Sequence, residues 1–125
     1  MTVNTLIEQQ YTNLGGVVTL HGRGTGAATS ALTSVKGPWT ITRTGVGTHT
    51  ITLNRKFSGL LNALFNVIDV TTQDDWEVTV STDLTSNQTI GIAIFKGGVA
   101  ADLSTDEKLL ITLVLQGSAA KPAGF

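Results

Sequence analysis

The chain contains no cysteine, which excludes disulfides, thiolate metal sites and cysteine nucleophiles outright. It has two prolines and one methionine, and charged side chains make up only 14% of its 125 residues, against about 25% in an average domain. The 8 basic and 9 acidic residues leave a formal net charge of -1 and are scattered without blocks. Proteins that grip nucleic acid or an anionic membrane usually show a basic stripe, so neither partner is expected. No apolar run approaches the ~20 residues of a membrane span. Residues 1–4 show no basic region followed by an apolar core, so a product made and used in the cytosol, or leaving it by a route other than secretion, is expected.

What the chain has in excess is threonine, 21 residues of it, beside 14 glycines. Threonine is β-branched, so it favours strands and supplies polar surface without long flexible side chains. Low charge and short polar groups also suit surfaces that pack against other subunits. Length permits a single domain with a core of its own.

Threonine is densest in residues 39–53, Trp-Thr-Ile-Thr-Arg-Thr-Gly-Val-Gly-Thr-His-Thr-Ile-Thr-Leu, an alternation almost palindromic about Val46. Strict alternation gives each strand two faces, and a short connection containing glycine closes a hairpin. Symmetric pairing places Thr44, Thr42 and Thr40 opposite Thr48, Thr50 and Thr52. Beneath them Ile41 meets Ile51, Trp39 meets Leu53 and Arg43 meets His49, and the two tryptophans are expected in the core.

Elsewhere the pattern reads as further short strands. Residues 2–14 admit a short helix, with Thr5 and Glu8 spaced as a capping box, or an extended arm. Val17 to Leu20 form a strand that ends in the glycine-rich loop of residues 21–26, where flexibility or positive φ is expected. Residues 33–36 are extended, and Gly37-Pro38 turns the chain into the hairpin. Leu60, Leu64, Val67 and Ile68 fit a helical stripe, yet residues 64–70 alternate, so one helical turn at residues 58–62 followed by a strand is expected. A second hairpin joins the strand around Trp76, Val78 and Val80 to that of Ile90, Ile92 and Ile94, through a loop at residues 83–88. Residues 109–115, apolar on both faces except Thr112, read as a central or doubly covered strand.

The expected fold is all-β: one antiparallel sandwich or barrel of about six to eight strands. Residues 1–16 form an N-terminal arm or short helix, 17–115 the β-domain, and 116–125 an extended C-terminal arm.

Candidate sites are few. His21 and His49 have no acidic neighbours in sequence and read as surface residues, and no Gly-x-Ser-x-Gly elbow occurs. Gly22-x-Gly24-x-Gly26 lacks the ending of a phosphate loop. Asp74, Asp75 and Glu77 around Trp76 could hold calcium or supply half of a carboxylate pair for glycoside hydrolysis, or simply form an Asp-Asp turn entering a strand. Asn87-Gln88-Thr89 matches the glycosylation sequon and, with no leader, reads as a polar loop. Trp39, Trp76 and Tyr11 could form a sugar-stacking platform if exposed. No catalytic residue, cofactor or metal ligand is assigned.

The hairpin resembles a pattern common in small structural proteins of tailed-bacteriophage virions, read as Ile-x-Arg-x-Gly-x-Gly-x-Tyr-Thr-x-x-Leu with a Leu-Leu pair shortly after. Here it runs from Ile41 and Arg43 through Gly45, Gly47 and Thr50 to Leu53, then Phe57 and Leu60-Leu61, with His49 in place of the usual aromatic. The resemblance covers residues 14–115. It implies a head decoration or cement protein, a non-enzymatic β-domain made in the host cytoplasm that clamps the exterior of the capsid. Its partners are then the major capsid protein and itself, as a dimer or trimer. Residues 2–13 and 116–125 are the expected reaching parts, with Leu6, Ile7, Tyr11 and Phe125 as apolar anchors. A neck, collar or tail-fibre component and a carbohydrate-binding module are the alternatives.

Overall fold

The computed structural model of the chain describes residues 9–11 and 16–117. Among the described residues ten strands follow one another: β1 (Gln9–Tyr11), β2 (Val17–Thr25), β3 (Thr33–Lys36), β4 (Trp39–Gly45), β5 (Thr48–Leu53), β6 (Gly59–Asp69), β7 (Trp76–Leu84), β8 (Thr89–Lys96), β9 (Val99–Ala100) and β10 (Glu107–Gln116). They form two antiparallel five-stranded sheets. The first runs β1-β2-β10-β6, with β3 sharing an edge of β2 with β1; the second runs β4-β5-β8-β7, with β9 on β8. Three of the ten strands, β1, β3 and β9, have four residues or fewer, so the expected six to eight correspond to the seven long ones.

The two sheets pack face to face as a sandwich. Alternation places Val18 and Leu20 of β2 and Leu109, Ile111, Leu113 and Leu115 of β10 on one inner face, all buried. Ile41, Ile51, Leu53, Ile90, Ile92 and Ile94 form the other inner face and are buried as well. Each such side chain contributes ~1.5–3 kcal/mol on leaving water, which is how a chain without disulfides holds together. The strand β10 is central, between β2 and β6, as expected. Its outer residues Leu110 and Val114 are half-buried rather than covered.

The threonine hairpin has the expected register from Trp39↔Leu53 through Thr40↔Thr52, Ile41↔Ile51 and Thr42↔Thr50 to Arg43↔His49. The last pair differs: the register shifts, and Gly45 instead of Thr44 stands opposite Thr48. Thr44 Oγ1 still reaches Thr48 Oγ1 at 3.1 Å. The turn needs Gly47, whose φ of +68° lies in the left-handed region that a β-branched residue resists.

Three further expectations are corrected. Residues 21–26 are not a flexible loop: β2 continues to Thr25, and none of its glycines has positive φ. Gly22 is required by close approach instead, because a Cβ there would collide with Lys36 O and the Trp39 ring. Residues 58–62 form no helical turn, since β6 starts at Gly59 and pairs with β10 along its length, with one irregularity that leaves Leu61 as an extra residue. His49 is not on the surface. It is 2% exposed, because the register that buries Ile51 buries every second residue of β5.

Candidate functional site

Coverage of the core is uneven. On the margin where both sheets end, the inward residues of β6 (Ala63, Phe65, Val67) and of β7 (Trp76, Val78, Val80) are only half-buried. Between them lies an open groove of about 380 Å³ lined by Phe65, Val67, Trp76 and Val78 and by the polar Asn66, Gln73, Asp69, Asp74 and Asp75. Outside it, Leu61 and Leu64 are 54% and 55% exposed, and Val70 is 76% exposed. With Ile68 they make four of the seven large apolar residues found exposed among the described residues, and their gathering on one margin makes it a candidate contact surface.

The residue that shapes this margin is Asp69. Its Oδ2 accepts from Trp76 Nε1 at 2.9 Å and from Asp74 N at 3.1 Å, and its Oδ1 accepts from Thr72 N at 3.1 Å. These bonds tie down the loop of residues 70–75, in which Gln73 holds a φ of +54°. Lys96 Nζ lies 3.3 Å from Asp74 Oδ2 and 5.7 Å from the centre of the Trp76 ring. The donated hydrogen bonds, Trp76 first, hold the Asp69 carboxyl far below the usual range. It is therefore held as the carboxylate that accepts these bonds. Asp74 and Asp75 lie in this Asp69-stapled turn entering β7. Asp69, the hub, was not a candidate by sequence, although an Asp followed by Thr at the second and third positions is an Asx-turn signature.

On the other side of the second sheet, the turn between β4 and β5 is tied down by Asp102. Asp102 takes Arg43 through two bonds, Nε to Oδ1 at 3.2 Å and Nη2 to Oδ2 at 2.9 Å, and its Oδ1 also accepts Gly47 N at 2.9 Å. The hydrogen bond from Arg43 is the main cause that lowers the Asp102 pKa. Burial, aided by the Arg43 charge and opposed by Asp102, lowers that of His49. His49 Nδ1 has no hydrogen-bond partner among the described residues. His21, in contrast, is exposed and 3.1 Å from Thr112 Oγ1.

Of the remaining candidates, Trp39 is 6% exposed and is no platform for sugars, while Trp76 is half-buried in the groove wall. Tyr11 lies in β1, its backbone opposite Val18. Leu6, Ile7 and Phe125 lie outside the described residues. Among the described residues no group of three or more His, Asp or Glu could hold a metal ion. No helix among them is long and apolar enough to cross a membrane. Comparison with family models, with curated proteins and with solved structures finds no match.

Proposed function

We propose that the chain is a non-enzymatic virion structural protein, a tailed-phage head decoration or cement protein that binds the capsid exterior as a homo-oligomer and stabilises the shell. The observation that carries this reading is the resemblance of the hairpin and its Leu60-Leu61 sequel to virion structural proteins. The second half of that pattern falls on β6, the margin that presents Leu61 and Leu64 to solvent. A clamp needs a stiff body and apolar contact surfaces rather than a cofactor. Its contacts with the major capsid protein would use the anchors Leu6, Ile7, Tyr11 and Phe125.

The copy number per particle in purified virions tests the reading. Hundreds of copies, with binding to empty heads that lack tails, support decoration. About a dozen copies would move the protein to a neck or fibre, whose rings are small symmetric oligomers. Absence from the particle would end the proposal. A carbohydrate-binding module is the second reading, favoured by Trp76 in the wall of an open groove. A glycan-array signal abolished by Trp76→Ala would replace the first reading with this one.

A further inference from the structure

Among the described residues no strand pairs with β6 on the side away from β10, and this edge is unusual. Of the three long edge strands, β4 carries Arg43, β7 carries Glu77 and Asp83 and is interrupted at Ser81, and β6 has no charge before Asp69. Native proteins blunt such edges with charges, prolines or bulges that turn the edge away. Here the stretch from Asn62 to Ile68, beyond the irregularity at Leu61, carries no charge, proline or bulge, and its polar side chains are the amides of Asn62 and Asn66.

Its sequence explains why. From Leu60 to Ile68 the order is Leu-Leu-Asn-Ala-Leu-Phe-Asn-Val-Ile, palindromic in character about Leu64. A twofold axis through Leu64 would place a second β6 antiparallel to the first. Asn62 then faces Asn66, small Ala63 faces large Phe65, and Leu64 faces itself. Outer-face amides meet amides, and the inner face pairs a small side chain with a bulky one. A slip that centres the pair on Phe65 would set Asn62 against Ile68, Asn66 against Leu64 and two Phe rings against each other, leaving amides opposite apolar groups.

The backbone agrees. Asn62 Oδ1 accepts the Ala63 N–H at 2.9 Å, which marks that amide as one left free by the β10 ladder. In a twofold pair it would be given to the Phe65 carbonyl of the other copy, making Ala63 and Phe65 a hydrogen-bonded pair and releasing the Asn62 amide for the partner's Asn66. Leu64 and its copy then form the non-hydrogen-bonded pair, with Cα atoms ~4.5 Å apart.

We infer that β6 is a homodimer interface: two copies join edge to edge about a twofold axis at Leu64, fusing their β6-bearing sheets into one continuous sheet. This surface follows from β6 alone and holds whether or not the virion reading does.

The test uses the full chain, whose lack of cysteine makes single-cysteine variants unambiguous. Across the proposed axis the ~4.5 Å separation lies within the ~4.4–6.8 Å Cα range of disulfides. Leu64→Cys is expected to yield a covalent dimer under mild oxidant. Asn62→Cys alone should cross-link poorly, and a mixture of Asn62→Cys with Asn66→Cys should cross-link efficiently. Sedimentation should show a dimer whose dissociation constant rises about tenfold or more in Leu64→Lys, which sets like charges face to face, with the circular dichroism of the monomer unchanged. Cross-linking of Asn62→Cys with itself in preference to Leu64→Cys would overturn the proposal. So would a chain that remains monomeric at high concentration, or one that dimerises only after removal of residues 118–125, which would show that this segment covers β6.

Discussion

Two palindromes lie in this chain and they fold differently. The one about Val46 has Gly45 and Gly47 at its centre, so the chain reverses there and the two halves pair with each other as β4 and β5. The one about Leu64 has Ala63 and Phe65 at its centre, so the chain runs straight through as β6, and its halves find no partner within the described residues beyond β10. The first is satisfied inside the molecule and covers buried Ile41 and Ile51; the second leaves apolar groups in solvent. A symmetric strand pattern with a turn at its centre makes a hairpin. The same symmetry without a turn makes an edge that a second copy completes.

The difference can be broken from either side. The largest effect is expected beneath the hairpin: Ile51→Ala, at a site 0% exposed, should cost ~2–5 kcal/mol in denaturant unfolding. A loss below 1 kcal/mol would show that the hairpin is not the rigid half. Next comes the β4–β5 turn, where Asp102→Ala strips Arg43 and the Gly47 N–H of their acceptor and should cost ~1–3 kcal/mol.

A graded effect follows in pH. Between its lowered folded pKa and the unfolded value near 6.5, His49 binds more protons in the unfolded chain, so its contribution is complete above ~6.5 and is lost as pH falls. Asp102 and Asp69 act with the same sign lower down: their folded pKa values are depressed, so their contributions are full above ~4 and are lost in stronger acid. Unfolding free energy measured against pH should therefore fall in two stages, and Asp69→Asn should weaken the lower stage only. The smallest effect belongs to the edge: Leu64→Ala should change the stability of the dilute monomer by no more than ~0.5 kcal/mol while weakening self-association.

Much of the fold was legible where alternation was strict. The hairpin register through Arg43↔His49, the β7–β8 pair and the central place of β10 all follow from period-two patterns and turn residues. The failures have physical causes. Gly22 and Gly24 also recur at period two, but glycine signals a loop unless one knows which ring or side chain lies over it; here Trp39 and Leu32 do. Leu60 and Leu64 sit four apart, a spacing that fits a helix as well as a strand. The burial of His49 depends on which hairpin face meets the core, and its polarity pointed the other way. At the margin, sequence pointed to Asp74, Asp75 and Trp76, but not to Asp69, whose role rests on backbone N–H groups that no residue letter records.

The two palindromes are compared most directly by hydrogen exchange of the intact chain at low and high protein concentration. Protection of the amides of residues 61–67 is predicted to rise with concentration, while that of residues 39–53 stays constant and high. Equal, concentration-independent protection in both segments would contradict the claim that one palindrome closes within the molecule and the other between molecules.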